Sequence, residues 1–182
     1  MRLFVGIPLS SEVCAGLASA LGPAIDNVEG WRWVPAESWH ITLQFLGNTT
    51  QEKFELISAR LTAIQSPAIP IQINGLDFFE RAGILFAGAS LCPEISTLHQ
   101  EVREAAAQSG FTPEARAFHP HITLARVKGK DRHRTLRALR ERLPARPEFS
   151  PFLADEFLLF ESFLGPAGAC YEIRKRFALT PV

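Results

Sequence analysis

The sequence predicts an α+β fold of two pseudo-symmetric β-α-β-α-β lobes, with mainly antiparallel sheets facing a central cleft and helices outside. Three observations carry that expectation. The tetrapeptide His-Ile-Thr-Leu stands at 40–43 and again at 121–124, although the chain has only five histidines. Leu3-Phe4-Val5-Gly6 returns at almost the same spacing as Leu85-Phe86-Ala87-Gly88, and Glu12 returns as Glu94. The apolar stretch ending Leu76-Asp77-Phe78-Phe79 has a counterpart in Glu156-Phe157-Leu158-Leu159-Phe160. Self-similarity at one fixed spacing marks a duplicated structural unit. Residues 1–182 read as one bilobal domain, with an internal repeat over about 1–80 and 84–160 and an added strand at 170–179.

Each element has a local reason. Residues 1–7 are a β-type apolar run. Ser10 or Ser11 can cap a helix over roughly 11–21, where Leu17 and Leu21 are spaced i, i+4. Residues 39–46 form a strand closed by Gly47-Asn48. Thr49 or Thr50 opens a second helix with Phe54, Ile57, Leu61 and Ile64 on one face. Residues 69–79 read as one strand. The second half repeats the order: a strand at 84–89, a helix begun by Pro93 and ended by Gly110, and a strand at 121–127. A helix striped by Leu136, Leu139 and Leu143 and a single strand at 152–160 follow. In the last strand Tyr171, Ile173, Lys175, Phe177 and Leu179 alternate onto one face. Pro67-Ala68-Ile69-Pro70 and Glu80-Arg81-Ala82-Gly83 are the nearest things to linkers, and the lobes are not independent domains.

Composition excludes several classes. Nineteen Lys and Arg balance nineteen Asp and Glu, so no global field holds a polyanion and any such binding needs a local patch. Cys14, Cys92 and Cys170 form no close pair or metal-type cluster, which suits a reducing compartment. The N-terminal apolar run is too short for a signal peptide, and no window is long enough to span a membrane. The expectation is a soluble, cytoplasmic monomer with no obligate protein partner.

Side chains at i and i+2 of a strand share a face. His40 therefore looks the same way as Thr42, and His121 the same way as Thr123, while Ile41, Leu43, Ile122 and Leu124 point into the cores. Lobe interfaces are favoured places for ligand clefts, and the doubled polar pair lies at this one. Two imidazoles and two hydroxyls facing each other suit acid–base chemistry on a phosphodiester. With an ordinary pKa of about 6.5, one ring can be neutral and the other protonated. The neutral ring removes a proton from the attacking group and the charged one protonates the leaving oxygen. The hydroxyls donate to the phosphate oxygens as charge builds. This chemistry needs no metal and no cofactor.

His40-Ile41-Thr42-Leu43 with Phe45-Leu46-Gly47, and Phe118-His119-Pro120-His121-Ile122-Thr123-Leu124-Ala125-Arg126, resemble the paired signatures of the 2H phosphoesterase superfamily. Within it they most resemble the RNA 2′,3′-cyclic phosphodiesterases, also called 2′-5′ RNA ligases. Arg2-Leu3-Phe4 and Lys175-Arg176-Phe177-Ala178-Leu179 share the likeness, which covers nearly the whole chain. The resemblance implies a bilobal fold, substrates that are RNA ends bearing a 2′,3′-cyclic phosphate, and metal-independent opening to a 2′-phosphomonoester. It implies His40 as proton donor to the leaving O3′ and His121 as the base that activates water. Thr42 and Thr123 would hold the phosphate, and Arg126 would contact the phosphate or the terminal base. The pseudo-symmetry alone leaves the two histidines interchangeable. Ligation, with a 5′-hydroxyl in place of water, or action on another cyclic phosphate would use the same residues. A module of the same fold that binds nucleotides without turnover is the alternative.

Other residues have plainer readings. By strict alternation Gln44 faces the cleft and Phe45 the core. Trp31, Trp33 and Trp39 are placed in the core rather than against a base. His119 and His121 alternate as metal ligands can, yet no third ligand stands at suitable spacing, so His119 is read as structural. Arg132, Arg134, Arg137, Arg140, Arg142 and Arg146 could track an RNA backbone, or form a solvated face balanced by Asp131 and Glu141.

Overall fold

The computed structural model describes residues 1–25, 29–128, 131–145, 147–165 and 168–181. Ten strands and four helices follow in the order β1 (Arg2–Pro8), α1 (Ser11–Ile25), β2 (Trp31–Trp33), β3 (His40–Asn48), α2 (Gln51–Thr62), β4 (Ile69–Ile71), β5 (Ile73–Phe79) and β6 (Ile84–Ala89). The chain continues through α3 (Pro93–Gln108), β7 (His121–Val127), α4 (Arg132–Arg140), β8 (Phe152–Ala154), β9 (Glu156–Gly165) and β10 (Gly168–Ala178). Helix starts are set by short polar side chains. Ser10 Oγ accepts from Val13 N–H, Thr50 Oγ1 from Lys53 N–H and Asp131 from Arg134 N–H. Pro93 opens α3, and Gly110, at φ +77°, follows its end in the left-handed conformation that a helix stop favours.

Eight strands form one sheet in the order β10-β9-β1-β3-β7-β6-β5, with β2 beside β7. Every strand pairing in it is antiparallel. The two halves of the sheet touch through a single bridge, Ile41 to Ile122, between β3 and β7. The helices pack on one face around a core that includes Leu17, Leu21, Ile57, Leu61, Leu98, Val102 and Phe157. A smaller apolar cluster of Phe4, Leu158 and Phe160, with Tyr171 against it, lies apart from that core.

Connectivity departs from the simple repeat. The stretch 69–79 is two strands, because β4 pairs with β8 in a separate small sheet while β5 pairs with β6. The stretch 152–160 divides in the same way into β8 and β9. β5 closes a hairpin with β6, and β9 pairs with β1. The first half of the chain thus gives β5 to the half-sheet of the second, and the second gives β9 to that of the first. Residues 80–83, read above as a linker, are the turn of the β5–β6 hairpin, with Gly83 at φ +64°. Gly47 and Asn48 continue β3 rather than ending it, and Leu143 lies beyond α4.

Alternation also fails at defined points. Between β1 and β3, Gly6 pairs with Thr42 and Val5 with Gln44, so Leu43 is an extra residue in its strand. Between β6 and β7, Phe86 pairs with Thr123 and Leu85 with Ala125, so Leu124 is extra as well. On β10, Ile173 pairs with Phe160 and Lys175 with Leu159, which makes Arg174 the bulged residue. A bulge reverses the face of everything beyond it. Tyr171 therefore packs beside Phe4 while Phe177 stacks on Phe157 in the main core, and the five residues expected on one face of this strand are divided.

Candidate active site

Ile41 and Ile122 are completely buried and paired, and the residues flanking each stand on the opposite, half-buried face. One bridge between two buried isoleucines thus brings both His-x-Thr pairs to the seam between the half-sheets. Each imidazole is fixed in the same way. His40 Nδ1 donates to Ser38 O at 2.8 Å, and His121 Nδ1 donates to His119 O at 2.7 Å. A carbonyl can only accept, so the proton sits on Nδ1 and leaves Nε2 as the nitrogen able to exchange one. His40 Nε2 is hydrogen-bonded to Thr42 Oγ1 at 3.1 Å. Gly6 makes room for this arrangement: a Cβ there would lie 2.9 Å from Ile41 O and 3.3 Å from His40 Cδ2.

Behind each imidazole lies a stacked pair of phenylalanines. Phe4 and Phe160 stack at 4.8 Å, and Phe4 sits 4.6 Å from the His40 ring. Phe79 and Phe86 stack at 4.0 Å, and Phe79 meets His121 edge-on at 4.9 Å. Tyr171 adds an edge contact to His40 at 5.2 Å, and His119 a contact to Phe86 at 5.6 Å. Sequence reasoning did not assign these rings to the site. The signal was present, because Phe4 repeats as Phe86, and Phe79 as Phe160, at nearly the spacing of the histidines.

Apolar surroundings disfavour the charged imidazole. Burial drives His40 down to about 4, against the opposing Ser38 carbonyl and with a further push from the charge of His121. Burial also lowers His121, opposed by the His119 carbonyl and assisted by the charges of His119 and Arg126. Burial raises the Tyr171 phenol, against the pull of Arg126 and Arg2.

The bulges decide which residues join the pairs. Past Leu124 the faces exchange: Ala125 is fully buried and Arg126 is exposed. Past Leu43 the same happens, which overturns the expectation for the first motif. Gln44 is buried, with its amide donating to Phe45 O, while Phe45 is 57% exposed and its ring lies 6.0 Å from Phe4. Phe45 is the repeat counterpart of Arg126, so one cleft wall ends in an aromatic ring and the other in a guanidinium.

The remaining candidates are dispersed. Trp31 and Trp39 are buried and Trp33 half-buried, as expected of core residues. His99 stacks on Phe118 at 4.0 Å. Among the described residues no three His, Cys, Asp or Glu side chains gather into a metal-type group, and none of the helices is long and apolar enough to cross a membrane. On α4, Arg132 donates to Arg81 O, Arg137 pairs with Glu141, and Arg140 pairs with Glu80 while lying over Phe78. Those three serve the local fold; Asp131 acts as the helix cap, and Arg146 lies outside the described residues.

Residues 19–162 match the model of the 2′-5′ RNA ligase superfamily. The RNA 2′,3′-cyclic phosphodiesterase of Escherichia coli (strain K12) is 30% identical over 185 residues, covering 98% of this chain and 97% of that protein. The protein of the same name from Aeropyrum pernix is 35% identical over 100 residues, which span 53% of this chain and 57% of its own length. The crystal structure of E. coli LigT complexed with 3′-AMP superposes with a TM-score of 0.80 at 28% identity, covering 98% of this chain and 97% of that one.

Proposed function

Because the chain belongs to the 2′-5′ RNA ligase superfamily, we propose that it opens RNA 2′,3′-cyclic phosphate ends to 2′-phosphomonoesters, with His40 and His121 as its acid–base pair. The observation that carries this reading is the twin anchoring of the imidazoles. Both hold a proton on Nδ1 against a carbonyl two residues back, and both keep Nε2 for exchange.

Water attacks phosphorus as His121 Nε2 removes its proton; the P–O3′ bond breaks, and His40 Nε2 protonates the departing oxygen. His40 is neutral at rest because it is desolvated. A phosphate anion bound beside it favours the imidazolium, and an imidazolium of low intrinsic pKa is a strong donor to an alkoxide. Thr42 and Thr123 donate to the non-bridging oxygens, and Arg126 supplies a fixed positive charge as negative charge develops. Phe45 offers an exposed ring face across the cleft, where the terminal base can stack. The reverse ligation uses the same groups with a 5′-hydroxyl in place of water. The protein acts as a monomer, in the cytoplasm.

The test is incubation of a short RNA ending in a 2′,3′-cyclic phosphate, in EDTA, with the product identified by phosphorus NMR. A 2′-phosphomonoester is expected. Bound but unchanged RNA would overturn the enzymatic reading in favour of a nucleotide-binding module.

A further inference from the structure

The seam carries a second cationic position that the acid–base reaction does not use. β2 pairs with the outer end of β7, and Arg32 stands directly opposite Arg126. Directly opposed residues of an antiparallel pair project from the same side of the sheet. Arg126 faces the cleft, since the bulge at Leu124 leaves Ala125 buried in the core and turns Arg126 to the exposed face that His121 and Thr123 share. Arg32 therefore faces it too, and both are exposed. Lys128, two residues beyond Arg126 and bonded through its backbone N–H to Gly30 O, adds a third exposed cation at the same end.

Like charges placed directly opposite each other destabilise a sheet. Nothing among the described residues neutralises these: none of the five ion pairs includes Arg32, Arg126 or Lys128. The arginines of α4 behave otherwise, three of them being engaged by a carboxylate, a carbonyl or a ring. An uncompensated cation pair on a cleft wall is the arrangement that a bound anion completes.

We propose that Arg32 forms a second phosphate subsite, which holds the phosphodiester on the 5′ side of the terminal nucleotide. This rests on the activity proposed above, and the chemistry of that substrate identifies the ligand. The cyclic phosphate occupies the space between the histidines, and the next anion along the strand is the phosphodiester one nucleotide upstream. β7 runs from His121 through Thr123 to Arg126, with Lys128 just past its end, so Arg32 lies on the outward side of the reacting centre, in the direction the strand must leave. The subsite makes the enzyme prefer an RNA end to a cyclic mononucleotide.

The test compares kcat/KM for 2′,3′-cyclic AMP with that for a dinucleotide ending in a 2′,3′-cyclic phosphate, in the wild type, Arg32→Gln and Arg32→Lys. Arg32→Gln is expected to lose about tenfold on the dinucleotide and to leave the mononucleotide unchanged, with Arg32→Lys recovering most of the loss. The dependence of log kcat/KM on log salt should flatten by about 0.7 for the dinucleotide alone. An equal loss on both substrates, or none on either, would overturn the subsite. Should the wild type turn over neither substrate, the proposed activity fails, and the subsite is judged by dinucleotide affinity, where equal binding by wild type and Arg32→Gln overturns it.

Discussion

His40 and His121 begin the same tetrapeptide, make the same Nδ1 bond and stand on stacked phenylalanines, yet their surroundings differ. Around His40 the ring pair is buried further by Tyr171, the Thr42 hydroxyl is already bonded, and Gly6 lets the neighbouring backbone close in. Around His121 the neighbours are His119 and Arg126, and no such close approach occurs at Gly88, where a Cβ would meet Phe86 at an ordinary 3.7 Å. Duplication supplied two equal positions. The difference between them comes from what packs around each, and that difference lets one imidazole hold its proton less readily than the other.

The largest test of the comparison is removal of either imidazole. His40→Ala or His121→Ala should lower kcat by roughly 10²–10⁴-fold with the fold intact by circular dichroism. The double variant should be little worse than either single one, because the two act as a unit. Normal turnover in either single variant would end the acid–base assignment. The hydroxyls come next. Thr42→Ala should cost on the order of 10²-fold in kcat, and Thr123→Ala less, since only Thr42 is bonded to its histidine. Equal losses would show that the asymmetry does not reach the phosphate.

Stability separates the two aromatic supports. Phe160 is 8% exposed, so Phe160→Ala should cost about 3–5 kcal/mol in denaturant unfolding. Phe79 is only half-buried, and Phe79→Ala should cost about 1–2 kcal/mol. Proton binding separates the two histidines as well. In a histidine NMR titration His40 should protonate near pH 4 and His121 below 6.5, and phosphate should move both upward. The unfolded chain binds a proton at His40 near 6.5 and the folded one near 4, so between these values the unfolded state holds more protons. Stability should therefore be complete above 6.5 and fall as pH drops towards 4. His40→Gln should flatten that fall, and an unchanged slope would place the cause elsewhere.

Arg126 and Phe45 illustrate how unevenly the site could be read. The family likeness places Arg126 at the cleft, although strict alternation from His121 would turn it to the core. For Phe45, its counterpart by repeat, the same alternation predicts the core and puts Gln44 at the cleft. Both motifs carry a bulge at their leucine, and both residues emerge on the cleft face. Alternation likewise joins Tyr171 and Phe177 on one face, and the bulge at Arg174 separates them.

By itself the sequence determined what depends on neighbours along the chain. That includes the four helices, the capping serine and threonine ahead of the first two, and the common face of each His-x-Thr pair. It also includes the duplication that brings two such pairs into one molecule. Tertiary structure alone decided the exchange of β5 and β9 between half-sheets, the division of 69–79 and 152–160, and the placing of Arg32 opposite Arg126. A bulge is a mismatch in count between two paired strands, so its position depends on the partner strand as well as its own. A residue's face beyond a bulge, and the charge standing across from it, are therefore properties of the pairing, and they exist only once the strands have met.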